Sequence, residues 1–296
     1  MPSHLDTLTQ INLDDLVSSF GWEKFPFLAA VLRKAFLSPA RKFARQMVDF
    51  DNRVGMLGLC EGSRQTLQQQ YVSDVRVHGR EHIPHTGPVL FLSNHPGMTD
   101  TISLFAAIHR PDLNIIALHR PFLASLVNVT RNLFYISDDA SERMRAVRQV
   151  SAHLKNGGAA LTFPAGKIEP DPDVYPGALD SLNDWTDSAA VFLRFAPQTK
   201  IVPVLVSGVI WERTARHWLT RFKRTREERE KFAAALQLLA IITRGARPTT
   251  VHVRFAKPVT VEQVGSKEPQ AIHQTVLARM RGLVESARAN AGVSVL

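Results

Sequence analysis

The chain has 296 residues, 45% of them hydrophobic, enough for one large α/β domain with an accessory element and for a sizeable core. A single cysteine, Cys60, excludes an internal disulfide and any cysteine-rich metal site. The formal net charge of +9 favours anionic partners such as lipid headgroups, nucleic acid or an acidic carrier protein.

Met1 to Leu16 carries Asp6, Asp14 and Asp15 and no Lys or Arg, which does not suit a secretory signal. Residues 20 to 70 read as helical. Phe25, Leu28, Leu32 and Phe36 fall at helical spacing, and Ser38-Pro39 reads as a cap and first-turn proline opening a second helix. That second helix would carry Phe43, Met47, Phe50 and Val54 on one face. Between Lys24 and Val48 there are six Lys or Arg and no acid. Such a pair suits either an anionic membrane surface or packing on a main domain with its charges solvated. The expected organisation is therefore an N-terminal helical, membrane-interfacial element over 1–70 and an α/β domain over 71–296.

From Asp74 strands and helices alternate. Strands are expected at Asp74–His78, Val89–Ser93, Asn114–Leu118, Leu133–Ser137, Ala159–Phe163, Ile201–Val206 and Val251–Phe255. Helices are expected at Thr99–His109, Phe122–Thr130, Glu142–Lys155, Asp187–Phe195, Glu227–Ile242 and Gln270–Ala287. The pattern predicts an α/β fold, a mainly parallel mixed sheet flanked by helices. Asp171 to Asp184 reads as a loop that borders a substrate entrance. No run of 18 apolar residues exists, so no membrane-spanning helix is expected.

Three strand ends carry the chemistry. The first is Asn94-His95-Pro96-Gly97-Met98-Thr99-Asp100, a turn from strand to helix with a histidine and an aspartate five residues apart. A carboxylate there can hold one imidazole nitrogen while the other faces a substrate hydroxyl. The second is Phe163-Pro164-Ala165-Gly166-Lys167, whose glycine turn exposes backbone amides to an anion or oxyanion. The third is Ile201 to Val206, with Pro203 inside the strand. His78, His82 and His85 lack the partners and spacing of a metal site, and no phosphate-binding glycine loop appears.

In this order the three blocks resemble the glycerolipid acyltransferase superfamily, of the glycerol-3-phosphate and lysophosphatidate acyltransferase type, over about Asp74 to Ser207. The resemblance implies that His95 deprotonates an acceptor hydroxyl and Asp100 orients it. The hydroxyl then attacks an acyl thioester on coenzyme A or an acyl carrier protein, with no metal or organic cofactor. Asn94, Gly97, Phe163, Pro164, Gly166, Lys167 and, more loosely, Arg120 are the implied substrate-binding residues.

The family block Phe-Pro-Glu-Gly-Thr-Arg-Ser is altered here. Ala165 stands for the Glu, Lys167 for the Thr, Ile168 for the Arg and Glu169 for the Ser. Asn132 and Asp138 stand where the family has a glycine and a phosphate-holding arginine, and an acid cannot replace a guanidinium there. Arg131, Arg143, Arg145 and Arg148 are the neighbouring cations. These changes point away from glycerol-3-phosphate and towards a lysolipid or another hydroxylated or amine-bearing lipid precursor. The hemolysin-like and ornithine-lipid branches also have a Phe-Pro-x-Gly block without the glutamate.

Arg213 to Arg226 holds six Lys or Arg interleaved with Trp218 and Phe222. That mixture suits a headgroup interface, stacking of single-stranded nucleic acid, or an ordinary exposed helix. The expectation is an acyltransferase lying peripherally on the cytoplasmic face of a membrane, with lipids and a thioester carrier as partners and no nucleic acid. A lipid-binding or regulatory protein on the same fold is the alternative.

Overall fold

The computed structural model describes residues 3–19, 24–97, 99–137, 139–247, 249–287 and 293–296. Met98 of the first block and Asp138 lie outside them. Three helices come first: α1 (His4–Ser19), α2 (Pro26–Leu57) and α3 (Leu59–Gln69). The first half of the α/β region runs β1 (Asp74–His78), β2 (Val89–Ser93), α4 (Asp100–Ile108), β3 (Leu113–Leu118), α5 (Pro121–Ser125), α6 (Val127–Thr130), β4 (Leu133–Ile136), α7 (Ala140–Lys155) and β5 (Ala159–Thr162). The second half runs α8 (Ala178–Ser181), α9 (Ser188–Phe195), β6 (Lys200–Ser207), α10 (Glu212–Ala215), α11 (Arg226–Arg244), β7 (Thr250–Phe255), α12 (Val261–Val264), α13 (Pro269–Ser286) and β8 (Val293–Ser294).

The strands form one mixed sheet in the order β4-β3-β5-β2-β6-β7-β1-β8. The run from β4 to β6 is parallel throughout. β7 is antiparallel to β6, β1 is parallel to β7, and β8 is antiparallel to β1. The mainly parallel α/β architecture with N-terminal helices is thus the observed one. Its consequence for the site is direct. β2 lies between β5 and β6, all three parallel, so the three strand-end blocks meet at one edge of the sheet, where open α/β folds place their ligands.

Alternation along β2 shows why its sequence is continuously apolar. Val89 and Phe91 enter one buried cluster, and Leu90 and Leu92 enter the other. Both faces of the sheet are covered here, so the run Val89 to Leu92 is apolar at every position. The first cluster includes Met47, Phe50 and Val54 of α2 and Leu59 and Leu67 of α3. The N-terminal helices therefore share the core of the sheet. The second cluster is closed by α7, α9 and α13.

Three local expectations are corrected. Ser38-Pro39 does not start a new helix; α2 continues through Pro39. Proline lacks only the one amide that would bond four residues back, and α1 holds the rod on either side of it, Asp14 pairing with Arg33 and Asp6 with Arg41. The single helix expected over Phe122–Thr130 is two short ones, interrupted at Leu126, whose backbone leaves helical geometry as its side chain is buried. The loop expected over Asp171–Asp184 holds α8 and a 3-10 turn at Leu182–Asp184 in its second half, while the basic stretch 213–226, whose reading was open, holds α10 and a 3-10 turn at Trp218–Phe222.

Candidate active site

The end of β2 delivers His95, and the first turn of α4 delivers Asp100. His95 Nδ1 lies 2.7 Å from Asp100 Oδ2. The same oxygen accepts the Gly97 amide at 2.8 Å, and the other carboxylate oxygen accepts the Thr101 amide and, at 2.8 Å, the Thr101 hydroxyl. Asp100 is 1% exposed and the His95 side chain 29%. The carboxylate at a helix N-terminus is favoured by the helix dipole as well as by these donors. Gly97 makes the tight turn possible: its φ is +86°, and a Cβ there would lie 3.3 Å from Ile168.

A carboxylate accepts and does not donate, so Nδ1 carries the proton and Nε2 keeps its lone pair. Phe163 at the end of β5 stacks on the imidazole, with ring centroids 4.4 Å apart. Burial alone would disfavour the charged imidazole, but the Asp100 charge and hydrogen bond, with a smaller contribution from Glu169, hold the His95 pKa above its ordinary value of 6.5. The ring is thus oriented, basic and open on one nitrogen.

His95 opens onto a cavity of about 710 Å³ with a largely apolar wall. Phe43, Met47 and Phe50 of α2 form one side, and Ile102 and Phe105 of α4 another. Phe163, Gly166, Lys167 and Arg120 also line it. The Gly166 amide closes its turn on the Phe163 carbonyl at 3.0 Å, so this amide serves the turn and not an anion. Lys167 is exposed and pairs with Asp184 at 3.0 Å. The α7 arginines do not line the cavity, but Lys231 of α11 does, paired with Glu227 at 2.6 Å. Lys231 was missed because it lies far along the chain from any block.

Asn94 and Pro164 stand apart from the cavity lining. Both ends of the Asn94 amide bond to Val206 of β6, donating to its carbonyl at 2.8 Å and accepting its amide at 2.7 Å. The side chain ties the end of β2 to β6 and, at 3% exposure, is buried away from the cavity. The Pro164 carbonyl accepts the amide and hydroxyl of Thr186, each at 3.2 Å, which anchors the following loop. Gly97 acts through its backbone on Asp100.

Two buried acids were also missed. Glu169, read only as a substitute for a family serine, accepts the His95 backbone amide at 3.0 Å and the Trp185 indole N–H at 2.9 Å. Burial pushes its carboxyl up to about 7 against the hydrogen bonds from Trp185, His95 and Ser181. Asp171 accepts the amides of Gly208 and Ile210, both at 2.9 Å, and burial pushes it up to about 6. It pins the loop after β6 to the loop expected to border the entrance. The signal for both was an acid within five residues of the Gly166 turn, on a segment otherwise reading as solvated loop. No group of three or more His, Cys, Asp or Glu able to hold a metal occurs among the described residues.

Residues 74–207 match the Acyltransferase family model. The matched acyltransferase segment begins with β1 and ends with β6, so it contains His95, Asp100 and the Phe163–Lys167 turn. No curated protein matches the chain. Among solved structures, it is similar to the 1-acyl-sn-glycerophosphate (LPA) acyltransferase PlsC from Thermotoga maritima, with 18% identity over 96% of this chain and 97% of that one and a TM-score of 0.47.

Proposed function

We propose that the protein transfers a fatty acyl group from acyl-CoA or an acyl carrier protein to a hydroxyl of a lysolipid or similar lipid acceptor. One observation carries this reading: an imidazole held through Nδ1 by a buried carboxylate at 2.7 Å, opening onto a large apolar cavity. The acyltransferase match over the same residues supports it.

His95 Nε2 takes the proton of the acceptor hydroxyl as its oxygen attacks the thioester carbonyl carbon. The tetrahedral intermediate collapses with cleavage of the carbon–sulfur bond, and the imidazolium returns the proton to the leaving thiolate. Asp100 stabilises the imidazolium and never needs to take the proton itself. The acyl chain occupies the cavity between α2 and α4. Arg120 supplies positive charge for the donor or acceptor headgroup, and Lys167 and Lys231 add to it where an anionic group competes with their partners Asp184 and Glu227.

Ala165 and Ile168 take the places of two family residues, a change in keeping with a hemolysin-like or ornithine-lipid-type branch and an acceptor other than glycerol-3-phosphate. No described helix is long and apolar enough to cross a membrane. Exposed Phe27, Trp218 and Phe222 beside basic residues support a peripheral position on an anionic inner membrane face.

Thiol release from acyl-CoA and acyl-carrier donors, measured against a panel of lipid acceptors, tests the proposal. His95→Ala should lose at least about a hundredfold in rate. Equal rates in His95→Ala and wild type would remove His95 as the base. Lipid binding without any thiol release would leave a binding protein on this fold. Turnover of glycerol-3-phosphate alone would refute the acceptor class.

A further inference from the structure

We propose that Glu169 is a positioning residue for His95: it grips both polar groups of the histidine backbone and places a second negative charge beside the imidazole. The grip is reciprocal. His95 N–H donates to Glu169 Oε2 at 3.0 Å, and Glu169 N–H donates to the His95 carbonyl at 2.8 Å. Asp100 fixes the ring from the α4 side. Glu169 fixes the main chain that carries the ring from the β5 side.

Glu169 is itself held. Its Oε1 accepts the Trp185 indole at 2.9 Å and the Ser181 hydroxyl at 3.1 Å. Both carboxylate oxygens therefore face donors, an arrangement a carboxylate meets and an amide does not. A glutamine here would turn an N–H against either the His95 amide or the indole N–H, leaving a buried donor without an acceptor. Ser181 adds an adaptable contact, because its hydroxyl also lies 2.9 Å from the Ala178 carbonyl. It donates to an ionised Glu169, and it accepts from a protonated one while donating to Ala178.

Charge gives the second part of the role. The imidazolium formed during proton transfer would be stabilised by Asp100 on the ring and, more weakly, by the Glu169 carboxylate held against the His95 backbone. Facing Glu169 from the segment 178–185 are Ser181 and Trp185, neither of which titrates near neutral pH. His95, from the turn between β2 and α4, is the charged partner. The contact also ties the loop after the second block to the base. Trp185 follows Asp184, the partner of cavity-lining Lys167.

The decisive measurement is the titration of His95 by NMR of histidine-labelled protein, which needs no turnover. Glu169→Gln should lower the His95 midpoint by roughly a few tenths of a pH unit, since the carboxyl, itself titrating at about 7, is partly ionised where His95 titrates. Trp185→Phe keeps the carboxyl but removes a donor that favours its charge. It should shift the midpoint the same way, by less, and it serves if Glu169→Gln does not fold. In thiol release, Glu169→Gln should lower kcat about tenfold to a hundredfold, from a displaced base, with KM little changed. A purely structural glutamate would lower the melting temperature and leave the His95 midpoint where it is. An unmoved midpoint in a folded Glu169→Gln protein, or in Trp185→Phe where the first does not fold, overturns the inference. The role in turnover rests on His95 acting as base. Absence of thiol release from wild type would defeat that reading, while the titration still decides the link between Glu169 and His95.

Discussion

His95 works as a base only when neutral, and its neighbours hold its pKa above 6.5. The rate of acyl transfer should therefore rise with pH through a midpoint above that value. Asp100→Asn keeps an acceptor for Nδ1–H but removes the charge, so the midpoint should fall and the limiting rate with it; an unchanged pH–rate profile would contradict the arrangement. Asn94 has a different kind of consequence. Val206 is fully buried, and Asn94→Ala leaves its amide and carbonyl without their side-chain partner. That should cost about 1–3 kcal/mol, read as a lower urea midpoint. The His95–Asp100 spacing was legible in the sequence because both residues lie within one turn. The tasks of Asn94 and Glu169 were not, since their partners are 112 and 74 residues away and only the sheet brings them together.

At the level of elements, α2 has two halves with different surroundings. Its C-terminal half buries Ala44, Met47, Phe50 and Val54 and walls the cavity. Its N-terminal half leaves Phe27 78% exposed and Val31 51% exposed, with Arg33 and Lys34 following. The helical period and both apolar stripes were visible in the sequence. The continuity through Pro39 was not, because packing against α1 overrides the local preference to break. If the exposed half inserts among lipid headgroups, Phe27→Glu should weaken cosedimentation with anionic vesicles severalfold and leave folding intact. Equal binding of both proteins, or binding indifferent to salt, would place the contact elsewhere.

For the molecule as a whole, the two buried acids make stability depend on pH. Glu169 at about 7 and Asp171 at about 6 are protonated more readily in the folded chain than in the unfolded one, where ordinary values are 4.5 and 3.8. The stabilisation this gives is fully present below about pH 4 and is lost as pH climbs towards 7. Glu169→Gln should flatten the pH dependence of the melting temperature across that window, and an unaltered slope would refute the assignment. The global fold was the most readable level, because alternating strands and helices with apolar runs leave few topologies. Which strands lie side by side decided the site, and that is a long-range property with β6, from residue 200 onward, inserted beside β2.

Trp185 is buried at 4% exposure with its indole N–H on Glu169, while Trp218 is 62% exposed on the basic surface turn. With Trp22 and Trp211 replaced by Phe, emission at the blue and red ends of the tryptophan band would report separately on the interior beside His95 and on the outer face of the molecule. Ligand entry and surface adsorption can thus be followed in one unlabelled sample.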